Sequence, residues 1–598
     1  MTKKASDQLR KAGKVSPYFT ILEGDGAGVY FQPPATTKKD RDGNETSTPA
    51  TAVWVCSALS VSARVRDDGS QNHGYLLEWQ DADRKQHSWI MPAELLAGDG
   101  AEVRRVLLNG GLMIATKKAA REHLMAFIQE SRPDETGLVV FRTGWHGGAY
   151  VLPDAVIGQT KADCIHLQSD FTQVEGYEVS GTWQQWRDGV GALCAGNHRP
   201  VFAISAAFAA PLLNLLDVSG VGFHIRGASS TGKSTALVLG ASVQGNPDPL
   251  PKWRATDNAL EGFAATRNDA LLCLDEMGQA DAKVIAQAAY MLAQGQGKMR
   301  SKRDTRLRPT ATWKTLFLSN GEISLADMLA SEGKKVKAGQ EVRVIDLPAD
   351  AGRGLGIFDQ IPAGFATSGT FADSLKQAAG QYHGAVFREY LRLLVLECGK
   401  HITTVQGYRG DWKAEYVPEG AGGQVLRVAD AFAVVAAAGE LATDMGLTGW
   451  QEGTAALSVA HCFKAWLEHR GGLGSQEERE ALRQVKYFFE TNGAAMFTPL
   501  EVRPKDDRTM YRKGFRDEQG DFYVFPEGFE RDICRGFDRG FVVGLLRERG
   551  WLLAGADGKA TITKRVPVGI REGLEVTGSI DKPIRCFHIS ATILEAEL

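Results

Sequence analysis

The sequence has no CxxC pair. Its eight cysteines, Cys56, Cys164, Cys194, Cys273, Cys398, Cys462, Cys534 and Cys586, are scattered over 598 residues. That is too sparse for a disulfide framework and has the wrong spacing for a structural zinc site, so reduced thiols in a cytoplasmic protein are expected. An excess of one charge is also missing. The 69 lysines and arginines against 72 acids give a formal charge of -3, which excludes an overall polycation and leaves room for a local basic channel. No apolar run is long enough to span a membrane. The most apolar stretch, Val201–Leu216, contains Pro211 and Asn214 and falls short of the roughly 20 residues a span needs, so it is expected to be a buried helix. The N-terminal MTKKASDQLRKAGK is basic but lacks the apolar core of a signal peptide. Neither an internal repeat nor a metal or nucleophile motif stands out in the N-terminal part.

What is present is ordinary globular usage, 43% hydrophobic and 24% charged, in a chain long enough for about three or four domains. From Tyr30 to about Met91 the residues read as short strands, with Ala52–Cys56, Leu59–Val65 and Gly74–Gln80 rich in β-branched and aromatic side chains. Pro33–Thr51 is expected to be a long exposed loop, since it holds turn formers and charges and almost nothing apolar. Helices are expected near Ala101–Leu108 and Lys117–Glu130, and strands again over Gly137–Ile157, with Gly144-Trp145-His146-Gly147-Gly148 in a turn. Thr182–Leu216 reads as two helices. Gly222–Leu347 alternates strand-like and helical runs, as a parallel α/β sheet does. Helices follow at Ser374–Glu397, Val425–Met445, Thr454–His469 and Gln476–Thr491. Asp521–Ile593 reads as strand, helix and β-hairpin, with Phe541–Trp551 resembling the helix that enters the wing of a winged-helix domain. The expected boundaries are 1–170 for a β-rich α+β accessory domain, 171–360 for the nucleotide-binding domain with its lead-in helices, 361–500 for a helical region and 501–598 for a winged-helix-like end.

The chemistry is concentrated in the middle. Gly227-Ala228-Ser229-Ser230-Thr231-Gly232-Lys233-Ser234 matches G-x-x-x-x-G-K-[ST] in full. A strand-like Phe223–Arg226 precedes it and a helix-like run from Thr235 follows. Glycines let backbone N–H groups close around phosphate oxygens, and the helix N-terminus adds partial positive charge. Lys233 is expected to reach the β- and γ-phosphates of ATP, and Ser234 to ligate Mg²⁺. The apolar run Ala270–Leu274 ends in Asp275-Glu276, as a central parallel strand would. Asp275 is expected to hold Mg²⁺, directly or through water, and Glu276 to polarise the attacking water. A third run, Lys314–Ser319, ends in Asn320, which fits the water-positioning polar residue of additional-strand ATPases. Asn320-Gly321 is also an ordinary turn pair.

Between the acidic strand and the Asn320 strand, Lys298–Arg308 carries Lys298, Arg300, Lys302, Arg303, Arg306 and Arg308 against one acid, Asp304. The order of phosphate loop, Asp-Glu strand, basic segment and Asn-tipped strand resembles the superfamily 3 helicases of the AAA+ ATPases. With the upstream GWHGG and the later AGQEVRVIDLPAD, the chain also resembles a bacterial family catalogued as domain-of-unknown-function family 927, often encoded in prophages and genomic islands. The likeness covers roughly Tyr30–Asp350 well and the C-terminal part loosely. It implies an α/β fold: an AAA+ P-loop core of parallel sheet flanked by helices, with the β-rich N-terminal domain and the helical, winged-helix-like end. It further implies that the basic segment is a hairpin gripping DNA in the pore of a homo-hexamer. Arg343 sits where such proteins place an arginine finger acting on the neighbour's ATP. Arg254 and Arg267 are weaker candidates. A solvated basic loop and a surface arginine are the plain alternatives.

The expected activity is an ATP-dependent DNA helicase or translocase, a ring serving replication of a prophage or mobile element on single-stranded or forked DNA. The expected cofactors are ATP and Mg²⁺, with a separate primase or other replication proteins as partners and no membrane. One alternative is an AAA+ protein-remodelling, regulatory or defence ATPase. Another is a primase–helicase, which Asp81-Ala82-Asp83 supports poorly because it falls in a polar turn between strands.

Overall fold

The computed structural model describes residues 18–22, 27–39, 45–48, 50–159, 164–168, 175–279, 282–297, 311–331, 342–470, 476–504, 506–509, 511–555, 558–572 and 575–596. The chain divides into two compact units. One comprises Met1–Lys334, Arg343–Trp412 and Ala433–Cys462; the other comprises Lys335–Val342, Lys413–Phe432 and Phe463–Leu598.

The first unit begins with β1 (Tyr18–Leu22), β2 (Gly28–Gln32), β3 (Thr36–Lys39), β4 (Glu45–Thr48), β5 (Val53–Cys56), β6 (Leu59–Arg66), β7 (Gly74–Gln80) and β8 (Gln86–Pro92). Helices Ala101–Asn109 and Lys118–Glu130 lead to β9 (Glu135–Val140), β10 (Gly144–His146), β11 (Ala149–Val151), β12 (Val156–Gly158) and β13 (Cys164–Leu167). A five-stranded sheet runs β13-β9-β6-β7-β8, parallel from β13 to β6 and antiparallel from β6 to β8. Leu77, Trp79 and Met91 bury one of its faces with Val103, Leu107, Leu124 and Ile128 of the two helices. Two expectations are corrected here. Pro33–Thr51 is not wholly loop: β3 and β4 pair as a hairpin, because the exposed β-branched threonines Thr36, Thr37 and Thr48 suit strands without needing a core. The GWHGG run is a turn only at Gly147-Gly148, since Gly144–His146 forms β10 and pairs with β11.

The central sheet is built from β14 (Val221–Arg226), β15 (Leu271–Leu274), β16 (Leu316–Gly321) and β17 (Val344–Pro348). Its order is β15-β16-β14-β17, with every pairing parallel. Helices cover both faces of such a sheet, so its strands read as unbroken apolar runs: every residue of β15 and β16 is buried. The helix His198–Ala209 is buried from Arg199 onward and packs on Lys233–Gln244. Gly240 permits the approach, since a Cβ there would stand 3.0 Å from the Ala203 carbonyl. The expected buried helix over Val201–Leu216 is thus present, interrupted near Pro211 and resumed only as Leu212–Leu215. Parallel strands put all their carboxyl ends on one edge, so Gly227, Asp275, Asn320 and Ala349 share it.

Beyond β17 the chain is helical. The stretch expected as one helix over Ser374–Glu397 is two, Ser368–Gln381 and Ala385–Leu396. The break is at Gly384, whose φ of +76° suits glycine and whose Cβ would meet the Glu178 carbonyl at 2.4 Å. A helix over Cys398–Tyr416 was not expected, and its buried residues are only Val405 and Trp412. Gly423–Asp444, Thr454–Arg470 and Gln476–Asn492 follow.

In the second unit, β18 (Phe497–Pro499), β19 (Gly514–Arg516), β20 (Phe522–Val524), β21 (Ile562–Glu572) and β22 (Glu575–Ile589) form a sheet in the order β18-β19-β20-β22-β21. Phe489, Phe497, Phe522, Phe529, Leu546 and Phe587 form its core. The order strand, helix (Arg539–Glu548), hairpin (β21–β22) is the one expected over Asp521–Ile593. Among the described residues no helix is long and apolar enough to cross a membrane.

Candidate nucleotide site

The glycine-containing loop Gly227–Gly232 leaves β14 and re-enters regular structure at Lys233, the first residue of the Lys233–Gln244 helix. Gly232 caps that helix with φ +90°, and Ser230 also takes a left-handed conformation, so the chain turns tightly enough to aim N–H groups inward. Two neighbours hold the loop from behind. A Cβ on Gly227 would stand 2.9 Å from the Ala349 Cβ, and the Ile357 N–H donates to the Thr231 carbonyl at 2.9 Å. The Lys233 ammonium folds back into the loop and donates to the carbonyls of Gly227 (2.8 Å) and Ala228 (2.6 Å). Desolvation lowers its pKa, against the raising fields of Glu322 and Asp275.

Opposite the loop stand Asp275 and Glu276, just beyond β15, and Asn320 at the tip of β16. Asn320 ties three parts together. Its Nδ2 donates to Ser234 Oγ (3.1 Å) and Asp275 Oδ1 (2.8 Å), and its Oδ1 accepts from the Glu276 N–H (2.7 Å). Ser234 Oγ lies 3.4 Å from Asp275 Oδ1. A hydroxyl and a carboxylate oxygen at one point form a donor set suited to a hard divalent cation. Glu276 has φ +57°, unusual for a non-glycine residue and tolerated where surrounding structure over-determines it. Its carboxylate pairs with Lys252 Nζ at 3.1 Å.

Behind this edge lies a buried polar chain. The Trp253 indole N–H donates to Ser319 Oγ at 2.7 Å, and Ser319 Oγ lies 3.0 Å from His224 Nδ1. His224 Nε2 lies 3.1 Å from the Ile323 carbonyl. Burial pushes the His224 pKa down to about 4, so the ring is neutral, with Nδ1 accepting from Ser319 and Nε2–H donating to Ile323.

The structure therefore brings Lys233, Ser234, Asp275, Glu276 and Asn320 to one edge. Arg343 is elsewhere. Its carbonyl accepts from the Gly222 N–H at the amino ends of β14 and β17, and its guanidinium sits 4.8 Å from the Tyr290 ring centroid. That is the opposite end of β14 from the phosphate loop, so Arg343 is not placed to serve its own chain's loop. Arg267 donates to the Glu175 carbonyl and lies over Tyr177, and Arg254 is exposed. The basic residues Lys298, Arg300, Lys302, Arg303, Arg306 and Arg308 lie outside the described residues. The ends of that excursion are described, and they are tied: Gly297 N–H donates to Ala311 O (2.9 Å), Trp313 N–H donates to Gly295 O (3.0 Å), and Gln296 bridges Thr312 in antiparallel fashion. Asp81 caps its own turn, accepting from the N–H groups of Asp83 and Lys85 and contacting His87. Sequence reasoning did not single out Lys252, His224 or Ile357. Lys252 follows an irregular, proline-bearing stretch that carries no motif, and the other two act through contacts distant in sequence.

Comparisons with known proteins agree with this architecture. The model of a family described as "Domain of unknown function (DUF927)" matches residues 27–312. No curated protein sequence matches the chain. Among solved structures, one titled "SCCmec type IV Cch - active helicase" superposes with a TM-score of 0.68 over 98% of this chain and 99% of its own, at 18% identity. At that identity the likeness speaks for a shared fold along the whole chain. The apo structure of the NrS-1 C-terminal region aligns with 62% of this chain and 88% of its own at 10% identity, with a TM-score of 0.23.

Proposed function

Residues 27–312 match the model of the DUF927 family, and from that match and the geometry of the parallel-sheet edge we propose that the chain is an ATP-dependent DNA helicase or translocase of the AAA+ class. It would work as a homo-hexameric ring in replication of a prophage or mobile element, on single-stranded or forked DNA. The observation that carries the reading is the convergence on Asn320, whose amide joins the phosphate-loop helix at Ser234 to the acidic pair Asp275 and Glu276.

The chain's residues then divide the work. Backbone N–H groups of Gly227, Ala228, Ser229, Ser230, Thr231, Gly232, Lys233, Ser234 and Thr235 cradle the phosphates of ATP. Lys233 would exchange its two loop carbonyls for the β- and γ-phosphate oxygens, whose negative charge offsets the loss of hydration that lowers its pKa. Ser234 and Asp275 would hold Mg²⁺, which would supply neutralisation of phosphate charge when bound. Asn320 orients the attacking water, and Glu276 polarises it once its carboxylate leaves Lys252. Arg343, facing away from its own loop, contributes to a neighbour's. The tied ends at Gly297 and Ala311 support reading Lys298–Arg308 as a hairpin that grips the DNA backbone.

The test is ATP hydrolysis and fork unwinding, with single-stranded DNA added at low salt. Replacing Lys298, Arg300, Lys302 and Arg303 with alanine should spare basal hydrolysis, abolish unwinding and flatten the salt slope of DNA binding. Unwinding equal to wild type would overturn the grip. A wild-type enzyme indifferent to DNA would favour the second reading, a protein-remodelling, regulatory or defence ATPase, which the same phosphate site would serve equally well.

A further inference from the structure

The nucleotide site and the base of the basic excursion are far apart in sequence from the GWHGG region, yet one short segment of the N-terminal strands touches the connections to both. Arg142 Nη1 donates to the carbonyl (3.1 Å) and the hydroxyl (2.9 Å) of Thr312. Thr312 is the residue that bridges Gln296 where the excursion closes. Immediately afterwards, Thr143 Oγ1 donates to the Thr266 carbonyl at 3.1 Å, and the Thr143 carbonyl accepts from Asn268 Nδ2 at 2.7 Å. The Trp145 N–H donates to Asp269 Oδ2 at 2.9 Å, its indole N–H reaches the Pro211 carbonyl at 2.8 Å, and the Tyr150 hydroxyl donates to the Asp269 carbonyl at 2.7 Å. Asn268 and Asp269 form the lead-in to β15, whose far end carries Asp275 and Glu276.

The two targets are also joined to each other. The Lys314 N–H donates to Asn268 Oδ1 at 2.9 Å, and the Asp269 N–H donates to the Lys314 carbonyl at 2.7 Å. Lys314 lies two residues after Thr312 and two before β16, which ends in Asn320. The strands carrying the acidic pair and Asn320 therefore begin at one hydrogen-bonded junction, and Arg142–Tyr150 closes over it. The fit admits little slack. Gly144 has φ +94°, and a Cβ there would stand 2.4 Å from Asp269 Oδ2 and 2.6 Å from Asn268 Nδ2. Trp145, Tyr150, Asn268 and Asp269 are all buried.

We propose that Arg142–Tyr150 is a bracket that transmits force between the base of the basic excursion and the ATP-hydrolysing edge, with Arg142 as the positioning residue on the excursion side. This inference rests on the ATPase reading of the edge and deepens it. Energy passes between sites through packed, hydrogen-bonded elements that both sites bias. Here a displacement at Thr312 has a short route of two residues to Lys314 and from there into the starts of β15 and β16. Arg142 ties Thr312 to the same segment that holds Asn268 and Asp269. Without it the excursion's base can shift while the ATP edge stays still.

The test is hydrogen exchange read by mass spectrometry on the full chain, in peptides that contain Gly295–Gly297 and Ala311–Trp313, with and without a non-hydrolysable ATP analogue. In the wild type, the analogue should change the exchange rate of these amides at least about fivefold, the lower end of typical coupling between sites. Arg142→Ala should retain basal ATP hydrolysis and analogue binding, because Arg142 touches no residue of the phosphate site, but should lose that change. Arg142→Lys should restore part of it. Gly144→Ala, which unseats the bracket at its other end, should also lose the change; if it does not fold, the Arg142 pair decides alone. A wild type whose amides ignore the analogue overturns the bracket. So does an Arg142→Ala protein that responds like wild type. None of these readouts requires DNA, so a failure of the helicase reading is seen separately, in the DNA-stimulated hydrolysis.

Discussion

Acidification offers a quantitative test of how the candidate nucleotide edge is supported. His224 has no solvent exposure and lies between Ser319 and the Ile323 carbonyl. Its pKa falls from 6.5 to about 4 because burial disfavours the charged ring, with Arg226 and Lys233 adding repulsion and the Ile323 carbonyl opposing them. The neutral ring is favoured only in the folded state, so the unfolded chain takes up a proton first as pH drops. The stability contribution is therefore whole above 6.5 and disappears as pH falls through about 4. At about 1.4 kcal/mol per pKa unit, the full loss is about 3 kcal/mol, of which about 2 kcal/mol is gone by pH 5. A protonated ring also leaves the Ser319 hydroxyl hydrogen without its acceptor, one residue before Asn320. Urea unfolding of wild type and His224→Gln, followed by tryptophan fluorescence at about pH 7.5 and pH 5, isolates the term, since other titrating groups cancel in the difference. Trp253, which donates to Ser319, is a local reporter. The wild type should lose about 2 kcal/mol more than the variant over that range. Parallel curves for the two proteins would refute the account of His224.

Three further outcomes are expected. Lys233→Ala should abolish hydrolysis, and Glu276→Gln should retain ATP while hydrolysing it very slowly; near-wild-type turnover in both would remove the site assignment. Lys252→Ala should change stability by less than about 1 kcal/mol, because the Lys252–Glu276 pair is solvent-exposed, while raising basal hydrolysis severalfold by freeing the carboxylate. A fall in basal hydrolysis would instead put Lys252 in the reaction itself. Arg343→Ala should bind ATP without hydrolysing it, and mixing it with Lys233→Ala should restore activity in hybrid rings. Absence of rescue after demonstrated subunit exchange would count against action on a neighbour.

Legibility in the sequence followed the range of the interactions. The Gly227–Ser234 motif is contiguous, so the strand–loop–helix setting it was expected to occupy could be read directly. The acidic pair and Asn320 were readable because a doubly covered parallel strand must be an apolar run, which makes the polar residue at its tip conspicuous. Helix Cys398–Tyr416 was missed because it buries little and so leaves no apolar stripe to see. The bond from Arg142 to Thr312 spans 170 residues, and neither residue type announces it. Likewise, nothing in the spacing of Lys252 and Glu276 shows that an irregular segment returns to lie beside β15, where Lys252 bridges Asp275.

The closed base at Gly297 and Ala311 bears on how this chain can diversify. Joining the ends of an excursion is the main entropic expense of making one, and here the base and Arg142 meet it. Inserting residues between Gly297 and Ala311 then adds little closure entropy, on the order of 0.6 kcal/mol for each doubling in length. The number and charge of the residues between Gly297 and Ala311 can drift, or be changed by design, while the sheet edge that carries Asp275 and Asn320 keeps the same strands, the same amide cross-link and the same strand lead-ins.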